Sequence, residues 1–259
     1  MSRKALLGLA LAIALSAGDA QSATLHARRG AAAATESRPS PKPSSKTILL
    51  GRSYDGRPIF VTRVGDPDGA RVLVFGCIHG NEPAGIAVAL ALKHVRTTDD
   101  VWIVPNLNPD GVAAGTRQNA RGVDLNANWS SEWQGGGNPG DAYYGGPYPF
   151  SERETQLAHN LVLRIHPLVT IWYHQHMDVV WAFGPSTHAG AIYARVSGMQ
   201  LYHQPWLAGT ATNWQNHRFP RTAALTIELP AGSLSPQQIR QHTRAVLIVA
   251  RLLGPRRVR

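Results

Sequence analysis

Arg71-Val-Leu-Val-Phe75, followed after three residues by His79-Gly80-Asn81-Glu82, is the stretch on which the fold turns. The five-residue run is rich in β-branched side chains and predicts a strand. His79 and Glu82 then stand at its C-terminal edge, where open α/β sheets place their ligands. Imidazole and carboxylate are zinc-ligand types, and a zinc ion that keeps one position open is a hydrolytic centre. Such a centre needs a third ligand and a proton acceptor from elsewhere in the chain. Pro83, just beyond, suits the first turn of a helix over residues 84–95.

Working outward, further strand-like runs fall at residues 47–50, 59–62, 101–104, 169–172, 179–182 and 225–227. Ser151 and Glu154 have capping-box spacing for a helix reaching about residue 165. Ser235-Pro-Gln-Gln238 opens a last helix that Gly254-Pro255 closes. Alternation of this kind implies an α/β domain, with a mixed or largely parallel sheet between helices on both faces. Residues 105–150 carry little strand or helix pattern and are rich in Gly, Asn and Pro. A loop of that length inside a compact domain is usually functional.

Composition bounds the rest. The chain has 259 residues, of which 43% are hydrophobic and 16% charged, ample material for one large core. Met1-Ser-Arg-Lys4 followed by an apolar stretch to Ala17 reads as a secretory signal over residues 1–23, too short to span a bilayer. Cleavage after Ala23 is preferred to cleavage after Ala20, and no cysteine follows the apolar stretch to take a lipid. Export to the periplasm or the extracellular space is therefore expected, with no membrane span once the signal is removed. Residues 24–46, rich in Ala, Ser, Pro and Arg, read as a flexible linker, leaving residues 47–255 as the catalytic domain. The single cysteine, Cys77, excludes an intrachain disulfide and reads as a small buried residue rather than a ligand.

The formal charge of +10 is concentrated toward the two ends, at Arg28, Arg29, Arg38, Lys42 and Lys46, and from Arg240 to Arg259. That surface would attract anionic polymers such as those of a cell wall. No nucleic-acid-binding motif accompanies it, so no specific nucleic-acid partner is expected.

A third ligand should emerge from another strand end of the same sheet. His174, closing Val169-Thr-Ile-Trp-Tyr-His174, meets that need, with His176 two residues on as the alternative. The proton acceptor must be free of the metal. Glu228, in Leu225-Thr-Ile-Glu228-Leu-Pro230, is a carboxylate with apolar flanks, which favours a place beside a cleft and a catalytic role.

In order along the chain these elements resemble the zinc carboxypeptidase family, of the carboxypeptidase A type. The likeness spans about residues 73–230. It rests on His79-Gly-Asn-Glu82, Asn108-Pro-Asp-Gly111, Arg117-Gln-Asn-Ala-Arg-Gly-Val-Asp-Leu-Asn126, Tyr144-Gly-Gly-Pro147 with Ser151-Glu152, Tyr173-His174 and Thr226-Ile-Glu228-Leu229. The resemblance implies a mixed sheet of about eight strands and one zinc ion held by His79, Glu82 and His174. It implies further that Arg117 stabilises the developing oxyanion, that Asn126 binds substrate, and that Glu228 is the general base. In form the short domain is similar to the murein peptide amidases of this family, so a peptide or muropeptide is the expected substrate.

Two departures touch recognition. Where the family pattern reads Asp-x-Asn-Arg-Asn, this chain has Asp124-Leu-Asn-Ala127-Asn128, which removes a guanidinium that would clamp a carboxylate unless Arg121 reaches in. Asn213-Trp-Gln-Asn216 stands where the family's cleft tyrosine is expected. Asp178 is a candidate to orient a ligand histidine, Asp124 reads as fixing the long loop, and Trp129, Trp133, Tyr143, Tyr144 and Tyr148 are candidates to line the cleft. Two rival readings follow: an N-acyl amino acid deacylase of the aspartoacylase type, and a non-catalytic protein that binds peptide or wall polymer.

Overall fold

Three runs, Arg71–Phe75, Val169–Gln175 and Ala223–Leu229, are buried along nearly their whole length. Continuous apolar strands of that kind belong in the middle of a sheet covered on both faces. A computed structural model describes residues 44–254 and places them there. The expected signal, the linker up to residue 43 and the arginines at 256, 257 and 259 lie outside the described residues.

In chain order the strands are β1 (Ser44–Arg52), β2 (Pro58–Gly65), β3 (Arg71–Phe75), β4 (Asp100–Val104), β5 (Val169–Gln175), β6 (Val179–Trp181), β7 (Gln200–Tyr202) and β8 (Ala223–Leu229). They form one eight-stranded sheet in the order β1-β2-β4-β3-β5-β8-β6-β7. The pairs β3/β4, β3/β5, β5/β8 and β6/β7 are parallel, while β1/β2, β2/β4 and β6/β8 are antiparallel. The expected mixed sheet of about eight strands is thus the observed one. β1 opens three residues earlier than the linker boundary allowed, because Ser44, Ser45 and Lys46 pair with Gly65, Val64 and Arg63.

Among the described residues six α-helices cover the sheet: α1 (Gly85–Leu92), α2 (Pro109–Ala114), α3 (Arg153–Ile165), α4 (Thr187–Ser197), α5 (Ala211–Arg218) and α6 (Pro236–Leu253). The two-residue period of the strands sorts the core into two clusters. Val72, Val74, Ile171, Tyr173, Leu225 and Ile227 pack against α1, α4 and α6. Leu73, Phe75 and Trp172 pack against α3 and α5, and Phe75 stacks on Trp172 with ring centroids 3.9 Å apart. Truncating a buried tryptophan of this kind costs roughly 3–5 kcal/mol.

Two helix starts differ from their sequence signals. α1 begins at Gly85, so Pro83 precedes the helix instead of opening it. The Ser151–Glu154 capping box does not form, because Ser151 Oγ is engaged by Asn128 Nδ2 and Glu152 Oε1. The Ser235/Gln238 box at α6 does form, with both reciprocal hydrogen bonds.

Candidate metal centre

β3, β5 and β8 lie side by side and parallel, so their C-terminal ends point the same way. His79 and Glu82 follow β3, His174 is the sixth residue of β5, and Glu228 is its register partner on β8. On β5 the even positions face α3 and α5, and His174 shares that parity with Trp172. This brings three side chains together that are 92 to 95 positions apart in the chain, or 3 in the case of His79 and Glu82.

The three donor atoms are closely matched. His79 Nδ1 lies 3.0 Å from Glu82 Oε2, His174 Nδ1 lies 3.1 Å from the same oxygen, and the two Nδ1 atoms are 3.2 Å apart. Ligands held at ~2.0–2.1 Å around a tetrahedral zinc ion would be roughly 3.3–3.4 Å apart. The set therefore fits one such ion with little adjustment, and His79, Glu82 and His174 are all buried. Donors of the imidazole and carboxylate type suit zinc.

Asp124 completes the arrangement. Its Oδ1 is 2.9 Å from His79 Nε2, which leaves Nδ1 facing the other donors. Its Oδ2 accepts from Arg117 Nε at 3.0 Å, while Arg117 Nη1 donates to Glu82 Oε1 at 3.0 Å. Burial works against ionising Asp124, yet the charges of His79 and Arg117 hold its carboxyl down at about 2. Burial likewise opposes ionised Glu82, and hydrogen bonds from His174 and His79 hold it well below the usual carboxylate range. For His79 burial would depress the ring, but Asp124 and then Glu82 carry it up to about 9. The cluster is built to hold positive charge.

The long loop owes its shape to asparagines and glycines. Asn108 caps α2 by accepting from Gly111 N at 2.9 Å, and its Nδ2 donates to the carbonyls of Arg117 and Gln118. Gly80 donates to the Arg117 carbonyl, and a Cβ there would come within 2.0 Å of the Gly111 backbone. Only glycine permits that approach, which ties the His79 turn to the segment that carries Arg117. Asn119 and Asn128 bind the remainder of the loop to the start of α3.

A cleft of about 220 Å³ opens over the cluster, lined also by Arg117, Asn126 and Glu228. Asn126 Oδ1 accepts from Ala211 N at the start of α5, which fixes its position. Among the described residues, Glu228 Oε2 and His174 Nε2 are buried without a hydrogen-bond partner. An orphaned carboxylate oxygen is costly, and such groups call for an explanation. A substrate or water in the cleft supplies one.

Other candidates fall into place around this set. His176 lines the cleft but is exposed and outside the three-donor group. Cys77 is buried, its thiol pushed up to about 12 by burial and by Glu82. Asp178 is exposed, and Asp124 has the orienting position proposed for it. Of the loop aromatics, Tyr143 lines the cleft and lies over the Arg117 guanidinium at 5.4 Å, whereas Trp129 is in the core. Asn213 and Asn216 are buried in α5. Sequence reasoning missed Trp181, Trp206, Leu207, Thr210 and Thr212 as lining residues. No local signal marks them, since they arrive from strand, loop and helix.

Comparison with known proteins agrees with this geometry. The chain is 26% identical over 170 residues to carboxypeptidase B of Astacus astacus, a match covering 52% of this chain and 56% of that one. It is 32% identical over 149 residues to the inactive metallocarboxypeptidase ECM14 of Ajellomyces dermatitidis, covering 43% of this chain and 25% of that one. The chain thus spans about half, or less, of the length of these curated relatives. The crystal structure of the murein-tripeptide amidase MpaA from Escherichia coli O157 shares the fold, with a TM-score of 0.63 and 24% identity over 80% of this chain and 91% of that one. The zinc carboxypeptidase family model matches residues 37–189, more than half of the chain and inclusive of His79, Glu82 and His174. By that match, and by donors that meet at one point, the chain belongs to the zinc carboxypeptidase family.

Proposed function

We propose that the protein is an exported zinc-dependent peptidase or amidase that hydrolyses a peptide-like bond. The orphaned Oε2 of Glu228, buried beside a three-donor cluster, is the observation that carries this reading. His79, Glu82 and His174 would hold the ion. When bound, zinc lowers the pKa of a water toward ~7 and polarises a carbonyl. Glu228 takes the proton of the attacking water on its free oxygen and returns it to the leaving nitrogen. Arg117, fixed by Asp124 and Glu82, faces the charge that develops on the carbonyl oxygen. Asn126 positions the substrate from the cleft wall.

Peptidoglycan stem peptides are the proposed substrate class. Support comes from the expected signal, the basic termini and the fold shared with a murein-tripeptide amidase. Mass spectrometry of products from a mixed library of peptides and muropeptides, with the zinc-loaded chain, tests both levels. Release of C-terminal residues from ordinary peptides with muropeptides intact removes the wall assignment. No cleavage of either, with zinc bound at one ion per chain, favours a binding role, for which the likeness to an inactive family member gives a footing.

A further inference from the structure

Arg117 is the sole lysine or arginine among the described residues that line the cleft, and it is already committed. Its Nη1 bonds Glu82, its Nε and Nη2 bond Asp124, and the Tyr143 ring covers it. Arg121 does not substitute for it, since its guanidinium lies 5.5 Å from the Tyr54 ring and 3.9 Å from Glu152 Oε1. A divalent ion together with Arg117 would be matched, charge for charge, by Glu82, Asp124 and Glu228. Among the described lining residues, no further lysine or arginine is left over to receive a carboxylate.

The wall beyond the ligands is Met177, Trp181, Trp206 and Leu207. Several polar atoms around it are used internally. Thr210 Oγ1 donates to the Leu207 carbonyl and accepts from Asn213 N, and Thr226 Oγ1 donates to Thr212 Oγ1 at 3.5 Å. Trp181 Nε1 donates to the Gln204 carbonyl, and Asn126 Oδ1 accepts from Ala211 N, so the neutral Nδ2 is the group Asn126 can offer a substrate. What faces the cleft is this apolar surface, the exposed His176, the unpartnered Trp206 Nε1 and an anionic base. A carboxylate placed there would lose its water for no cationic partner, which is unfavourable.

We propose that the end of the substrate seated in this cleft is uncharged, so that the bond cleaved need not precede a free carboxylate. An amidated terminus, or a chain that continues past the bond, is the class it takes. This inference rests on the hydrolytic reading above. The test uses the full zinc-loaded chain and three matched N-acyl dipeptides ending in Leu: the free acid, the carboxamide, and a form extended by one residue. The expected kcat/KM for the carboxamide is within about threefold of that for the acid. A guanidinium clamp would favour the acid roughly 10–150-fold, and a preference of that size overturns the proposal. If none of the three is cleaved, the muropeptide arm of the assay above decides the hydrolytic reading, and calorimetry on the metal-free chain decides the inference separately. Leucinamide binding at least as tightly as leucine supports it. Leucine binding more than tenfold tighter, or neither binding, overturns it.

Discussion

Tyr173 and His174 are neighbours on β5, yet they open onto opposite faces of the sheet and into two buried polar clusters of opposite character. On the α4/α6 side, Tyr173 OH meets Tyr193 OH at 2.8 Å, and Tyr193 OH meets His242 Nδ1 at 2.9 Å. Burial pushes both tyrosines up and carries His242 down to about 4, so at neutral pH all three are uncharged. On the other side, burial is comparable at His79 and Asp124, but facing charges keep the groups ionised. One cluster is neutral and internally paired. The other is charged, opens on a cleft, and leaves Glu228 Oε2 and His174 Nε2 without partners. Depth therefore does not separate packing from chemistry in this molecule; compensation of charge and access to solvent do.

The comparison is broken most directly at Glu228. Glu228→Gln keeps the shape and removes the proton acceptor, so hydrolysis should fall by roughly 10²–10⁴-fold while zinc content stays at that of the parent. Turnover measured beside metal analysis checks this. A loss below tenfold would mean that the orphaned oxygen is not the base.

The neutral cluster predicts a pH effect of known sign. His242 titrates at about 4 in the fold against an ordinary 6.5, with Tyr193 and Tyr173 packed on it and Asp178 as the acidic charge that acts on it. The unfolded chain therefore binds more protons between those values, and stability is lost as pH falls from about 6.5 to 4. The gap is worth at most about 3 kcal/mol. Denaturant unfolding across that window should show the slope, and His242→Gln should flatten it.

Metal removal sharpens the contrast next. An ion at a hundredfold excess over its dissociation constant stabilises by about 2.7 kcal/mol. Zinc should raise the melting temperature of the parent, and His174→Ala should abolish that rise. An unchanged rise in the variant would remove His174 from the donor set.

The same contrast explains what was legible in the sequence. β3, β5 and β8 are central and buried on both faces, so their β-branched runs announce them. Gln200–Tyr202 is a three-residue exposed edge strand with too little pattern to read. α5 buries Asn213, Gln215 and Asn216 as hydrogen-bond partners of loops and strands, so it lacks an apolar stripe. The three candidate donors are readable because coordination demands particular residue types at strand ends. Asp124 was read only as a loop anchor, because its contact with His79 spans 45 positions and no local spacing encodes it. The aromatic wall of Trp181 and Trp206 escaped for the same reason.

The smallest effect is expected at Tyr193, and it is the most telling about the neutral side. Tyr193→Phe keeps the ring that packs between Tyr173 and His242 and deletes the hydroxyl that bridges them. Two buried polar groups are then each one partner short, at a cost of roughly 1–2 kcal/mol in unfolding free energy. Tyr173 adjoins His174 through the backbone alone, and its side chain faces away from the cleft, so turnover and zinc affinity should stay at parent values. A loss of activity without loss of stability would show the two faces to be coupled through β5, and the neutral cluster would then belong to the site.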